Sequence, residues 1–320
     1  MPVLIIILLF PLMAWAQTLN SDTGSSSNEG GANNELRFQP ELLLDEDFYV
    51  VSNLRFTLLH EIAHAVIDEH SVPVLGGQEQ AADQVAIMLL LMLGEPLMAL
   101  EKGRSERINR ELLEALLAIS SEWYIEWQQA IDANNVVYWD EHPLPIQRFY
   151  DVTCLAYGSQ PDLLEIVRRD HWLPVERAWG CGVSFAKSRD ALVWLASRVS
   201  YARFDEHWRL KEVDRQQAHD AAKFPGHLEL HWQPALSQTD KELVTRFKSK
   251  LQLEHLIDDL NRVLKLPRDI PIHMEPLCNE GNAWWNSEQE SIVVCYKLLG
   301  DFLHNARSVP DMIKRFEGMP

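Results

Sequence analysis

Positive charge is scarce in this chain. Its 320 residues carry 29 Lys and Arg against 47 Asp and Glu, a net charge of −18. A basic patch able to follow a phosphate backbone does not assemble easily on so acidic a surface, so the sequence argues against nucleic acid as a partner. Cysteine is sparse too: there are four, none in a Cys-x-x-Cys pair, which argues against a cysteine-rich zinc knuckle. No apolar run reaches the roughly 20 residues needed to cross a bilayer. The nine apolar residues from Val85 to Leu93 read instead as a helix buried on all sides. No internal repeat occurs at solenoid spacing. What remains is an ordinary globular composition, 47% hydrophobic and 24% charged, in a chain long enough to bury a core unaided.

Residues 1–16 have the form of a secretory signal. Val3–Phe10 give a short apolar stretch, and Ala14-Trp15-Ala16 offers the small-x-small pattern before Gln17, although no Lys or Arg precedes the run. Cleavage after Ala16 and export, to the periplasm or beyond it, is the expectation; an uncleaved membrane anchor is the alternative. Residues 17–38 read as a flexible linker rich in Ser, Gly and Asn. Export makes disulfides chemically possible. Four cysteines allow three pairings, and the local pairs Cys154–Cys181 and Cys278–Cys295 are the expected ones, with four buried free thiols as the alternative.

From Glu35 onward helical periodicity dominates. Asn53 reads as the cap of a helix from Leu54 to about Glu69, broken by Pro73, Gly76 and Gly77 before a second helix from Gln78 to about Leu93. Further helices are expected over Ile108–Ala130, Pro145–Leu155 and Ser188–Val199, and a single long one over Asp240–Val263. Gly226–Trp232, Pro271–Leu277 and Glu290–Tyr296 alternate like strands, with a turn at Asn286–Gln289. The layout is therefore a core over 39–200, an exposed helix or hinge over 201–225 and a strand-containing part over 226–320. The fold class is α+β, a mostly helical body with a small sheet.

His60-Glu61-Ile62-Ala63-His64 is the strongest chemical signal. Positions four apart share one face of a helix, so both imidazoles can meet one ion. Glu61, rotated by about 100° from His60, can reach a water beside that ion without displacing it. Glu79 and Asp83 follow, four apart, at the start of the second helix. A helix returning across the first can present Glu79 as an oxygen ligand, while Asp83, one turn on, fixes the tautomer of His60. Two His and one Glu with a fourth position left open is the ligand set of a catalytic zinc, and Glu61 is then the base. The first helix is otherwise apolar, and three ionisable groups there are costly to bury without a partner.

The pentad with the following Glu-x-x-x-Asp resembles the gluzincin group of zinc peptidases. The run LLHEIAHAVIDEHSVPVLGGQEQAADQVA from Leu58 to Ala86 is similar, more closely, to a bacterial family catalogued as metallopeptidases of unknown function. So are Gln147–Ser159, Leu173–Cys181 and Leu277–Leu299, which with the first run make up about half of the mature chain. The resemblance implies a zincin-like fold, a Zn2+ cofactor and a peptide or protein substrate. It also implies that Asn282 and Ala283 hold an extended peptide at the strand edging the cleft, as the Asn-Ala pair of gluzincins does. In those enzymes the edge strand precedes the metal helix, whereas here it comes some 220 residues later, so either the order is permuted or the pair has another role. Asp140-Glu141-His142-Pro143 with Arg148 resembles the His-Pro…Arg segment of HtpX-like peptidases. That makes His142 the first candidate to stabilise an oxyanion, ahead of Tyr150 and Tyr157. Arg148 reads as an ion-pair partner of Asp83 or Glu79. His227 and His231, four apart on a strand, pinch an ion poorly.

Two other functions stand beside the zinc peptidase. One is a zinc-binding envelope or scaffold protein with a peptidase-like fold and no turnover. The other is a zinc amidase acting on cell-wall material. An intact Glu61 favours catalysis, because a purely structural site has no use for that carboxylate.

Overall fold

Asp45 starts the central helix by accepting a hydrogen bond from the Phe48 N–H with its side chain. Helix α1 then runs Glu46–Glu69, eight residues earlier than the expected start. Asn53 is not a cap. It is buried inside α1, and its amide donates to the carbonyls of Tyr49, one turn back, and Ala118, which lets a polar side chain continue the helix at no unpaired cost. This computed structural model describes residues 42–98, 105–161, 165, 167, 168, 172–204, 210, 211 and 221–317. The expected signal segment and linker lie outside the described residues.

Helix α2 (Gln78–Met98) returns across α1 after a turn in which Gly76 takes φ +113°, a conformation that favours glycine. Helix α3 (Ser105–Asp132) packs on α1 and α2, and α4 (Pro145–Ser159) packs on α3. A single turn, α5 (Val175–Ala178), leads into α6 (Cys181–Val199), which begins earlier than the expected Ser188. Within 201–225, two-residue strands β1 (Arg203–Phe204) and β2 (Leu210–Lys211) pair antiparallel, and Ala221–Lys223 form a 3₁₀ turn. The expected single helix over Asp240–Val263 is two, α7 (Gln238–Leu251) and α8 (Leu253–Val263), broken at Gln252 with φ +48°. Leu251 and Leu253 are both fully buried. On one continuous helix they would point about 200° apart, so the break turns both into the core.

The sheet follows the order β3-β4-β6-β5, with β3 (Leu228–Trp232), β4 (Ile270–Glu275), β5 (Ala283–Asn286) and β6 (Ser291–Cys295). Strands β3, β4 and β6 are parallel, while β5 closes one edge antiparallel to β6. The alternation Ile270, Ile272, Met274 puts every second side chain of β4 into the core. Asn286 makes the β5–β6 turn by accepting the N–H groups of Glu288 and Gln289. Helices α9 (Tyr296–Ala306) and α10 (Val309–Glu317) complete an α+β fold that is mostly helical. α1 is nearly surrounded, touching α2, α3, α7, α9 and strands β5 and β6. Residues Gln39–Pro320 form one compact unit. Among the described residues no helix is long and apolar enough to cross a membrane.

Two disulfides join the expected local pairs, Cys154–Cys181 and Cys278–Cys295, and among the described residues no cysteine is free. The first ties α4 to the start of α6, where Gly158 lets the elements approach: a Cβ there would lie 2.2 Å from the Cys181 carbonyl oxygen. The paired cysteines are 27 residues apart, so breaking that bond should cost about 3–4 kcal/mol by loop-closure entropy. Denaturant unfolding of a Cys154→Ser, Cys181→Ser protein measures this, and an unchanged midpoint contradicts it.

Candidate metal centre

Helical spacing turns His60 and His64 to the same side of α1, and α2 crosses so that its first turn delivers Glu79 onto them. His60 Nε2 lies 3.1 Å from His64 Nε2 and 3.2 Å from Glu79 Oε2, and His64 Nε2 lies 3.3 Å from the same oxygen. Among the described residues this is the group able to hold a metal ion, its three ligand atoms all within 4.8 Å of one another. Both histidines are buried, while Glu79 keeps some exposure.

Whether a cation fits can be read from the protons. Asp83 Oδ1 lies 2.8 Å from His60 Nδ1, so Nδ1 keeps its proton, and Nε2 faces His64 and Glu79, where loss of its own proton frees a lone pair for a metal. Electron-rich atoms that converge in this way repel unless a cation or a proton lies among them, so the donor set fits a metal. Burial alone would lower the pKa of His60, but its bonds to Asp83 and Glu79 outweigh that and raise it to about 9. Burial would raise Glu79, yet hydrogen bonds from His142, His60 and His64 hold it well below the usual carboxylate range. Protons and a metal ion therefore compete for the same atoms.

Asp83 is itself held. Arg148 on α4 donates from Nε to Oδ2 at 2.7 Å and from Nη2 to Oδ1 at 2.5 Å, and its guanidinium lies 3.4 Å over the centre of the Trp123 ring. Burial raises the Asp83 carboxyl, but Arg148 and His60 overcome this and keep it below its ordinary value. With its Nε–Nη2 edge on Asp83 and one face on Trp123, Arg148 is the partner of Asp83 and not of Glu79.

Glu61 reaches the sheet edge. Its Oε2 accepts the backbone N–H of Trp285 on β5 at 2.8 Å, and its Oε1 is 4.0 Å from His60 Nε2. Burial raises its pKa, moderated by His60, His64 and the Trp285 N–H. The Trp285 indole N–H donates to Asp68 at 2.7 Å, further along α1. The Asn282 carbonyl accepts the Cys295 N–H, and its side chain accepts the Ala283 N–H. The edge strand is thus fixed to β6, and Asn282 and Ala283 line a cavity together with His60 and Glu61.

His142 reaches the cluster from the loop before α4. Its Nε2 is 3.0 Å from Glu79 Oε2 and its Nδ1 is 2.9 Å from Asp140 Oδ1. The bond to Glu79 raises its pKa against the lowering effect of burial, and Asp140 adds to the rise. His142 borders both an outer cavity of about 760 Å³, which Tyr150 also lines, and the inner one of about 230 Å³. Tyr157 is directed elsewhere, with its hydroxyl 3.4 Å from Glu165. His227 and His231 are half exposed beside Asp269 and Glu229.

Three site residues have no motif in the sequence. Trp285 acts through its backbone and leaves no side-chain signature. Glu122 and Glu126 stand one turn apart on α3 in the wall of the inner cavity, and their signal is two acids set among Trp123, Tyr124, Ile125 and Trp127. Burial pushes Glu122 up to about 8 and Glu126 up to about 7. A carboxyl with a folded pKa above its unfolded value, near 4.3, stabilises the fold only while protonated. That stability is complete below about pH 4 and lost as the pH rises through 7 and 8. The melting temperature should fall between about pH 5 and pH 9, and Glu126→Gln should flatten the fall. Identical profiles for the two proteins would contradict this.

A family model described as "Putative metallopeptidase" matches residues 25–195 and 232–311, most of the chain. No curated protein matches the chain, and no solved structure does.

Proposed function

Since the chain belongs to this metallopeptidase family, we propose that it is a zinc-dependent peptidase that hydrolyses peptide bonds, with His60, His64 and Glu79 holding the ion and Glu61 as the base. The observation that carries this reading is the convergence of His60 Nε2, His64 Nε2 and Glu79 Oε2 beside a buried carboxylate that is not needed as a ligand. Zinc bound by two histidines and a glutamate polarises a carbonyl oxygen and lowers the pKa of water towards 7.

The chain's own groups supply the rest. Glu61 takes the proton of the attacking water and gives it to the leaving nitrogen. Asp83, clamped by Arg148, holds His60 in the tautomer that presents Nε2. β5 pairs with β6 on one side only, so an extended substrate can add to its outer edge at Ala283, beside the Asn282 side chain. His142, at the rim, is our candidate to steady negative charge on the substrate oxygen. The two disulfides accord with an oxidising compartment, and we infer that the protein is exported.

Hydrolysis of an unfolded protein substrate tests the reading. A metal chelator should abolish cleavage and added Zn2+ should restore it, whereas cleavage that resists chelation would rule out a metal-dependent mechanism.

A further inference from the structure

The inner cavity of about 230 Å³ is lined by several kinds of group, among them the cations Arg148 and His142, each already bonded to a carboxylate. His60 and Glu61 border it from the reactive centre. Phe56, Leu298 and Phe302 give it apolar wall. Glu122 and Glu126 give it carboxyl groups, and these are not equivalent. Glu122 is fully engaged, accepting from the Tyr49 hydroxyl and the Asn305 amide, each at 2.6 Å. Glu126 is half-buried and has no hydrogen-bond partner among the described residues. Arg148 and His142 act on it through charge alone, and both are already bonded, to Asp83 and to Glu79.

A carboxyl in a confined cavity without a partner is costly to ionise, and a second carboxyl one helical turn away adds to the cost. A cation entering the cavity removes both penalties. The volume is below the 300–1,000 Å³ typical of pockets for whole ligands, so the space suits one side chain. Apolar wall together with unpaired carboxyl oxygen is the complement of a long aliphatic stem ending in positive charge.

We propose that this cavity is a substrate subsite that takes a lysine or arginine side chain next to the scissile bond, with Glu126 as the residue that selects it. The shared chemistry is an ammonium or guanidinium group. A free peptide amino terminus is its other source, and the apolar wall favours the side chain. The proposal rests on the peptidase reading of the adjoining centre.

The test uses the zinc-loaded protein and fluorogenic peptides that differ only in carrying Lys, Arg, Leu or Glu at one of the two residues flanking a single scissile bond. Each peptide is made with a blocked and with a free amino terminus. At one flanking position, Lys and Arg peptides should give a kcat/KM about tenfold or more above Leu, in blocked and free peptides alike, a difference of about 1.4 kcal/mol. Glu126→Gln should bring the Lys-to-Leu ratio towards one, and Glu126→Lys should turn the preference towards Glu. Equal rates for Lys and Leu, a ratio that Glu126→Gln leaves intact, or a preference confined to free amino termini would each overturn the proposal.

If no peptide is cleaved, the peptidase reading fails by itself. The subsite is then decided by the affinity of zinc-loaded Glu61→Gln protein for the same blocked peptides. There the same Lys-over-Leu ratio, lost on adding Glu126→Gln, supports the proposal, and equal affinities overturn it.

Discussion

Glu61→Gln should leave the metal in place and lower peptide hydrolysis by roughly 10²–10⁴-fold, the usual contribution of a positioned general base. The substitution is nearly isosteric. Its amide oxygen can still accept the Trp285 N–H that Glu61 Oε2 accepts at 2.8 Å, so β5 keeps its place against α1. None of the three converging ligand atoms belongs to residue 61. The group lost is the one able to take a proton. Turnover measured beside metal content separates this outcome from damage to the site, and turnover within a few-fold of wild type would remove Glu61 from the mechanism.

Asp83 should show the largest effect on stability. Its carboxylate faces the buried Arg148 guanidinium on one side and His60 Nδ1 on the other. Asp83→Ala leaves that guanidinium enclosed without its counter-charge, which typically costs about 3–5 kcal/mol. The milder Asp83→Asn keeps the shape but weakens the hold on His60, and metal affinity should fall by roughly 10–100-fold. The sign of the pH dependence follows from the lowered pKa of Asp83. The stabilisation is complete above the unfolded value near 3.9 and is lost as the pH falls through the folded one. Denaturant unfolding of Asp83→Ala and metal titration of Asp83→Asn check the two parts. An unchanged unfolding midpoint would mean that Arg148 finds water, and an unchanged affinity would mean that His60 holds its orientation without Asp83.

What the sequence makes legible is whatever helical periodicity fixes. The i, i+4 spacing of His60 and His64 fixes their shared face before any tertiary structure is considered. Glu79 and Asp83 are legible for the same reason, given a second helix that returns across the first. The helix boundaries are less so. Asn53 resembles a cap because its side chain seeks a backbone partner, and it finds the Tyr49 and Ala118 carbonyls inside the helix. The break at Gln252 is hidden because helical propensity runs through it, and only the burial of Leu251 and Leu253 on one core demands it. The parts of the site brought together over long separations were beyond pattern reading. The bond from the Trp285 backbone to Glu61 spans 224 positions, and any residue but proline could make it. Glu122 and Glu126 read as polar positions on an amphipathic helix until α1 and α9 enclose them.

The proposed chemistry requires a metal held by His60, His64 and Glu79. The most direct measurement is the zinc content of the purified protein beside that of His64→Ala, each after reconstitution and removal of loosely bound ion. The prediction is about one zinc per chain in the wild type, lost in the variant while its helical content is kept. No zinc in the wild type, or zinc retained by His64→Ala, would contradict the site.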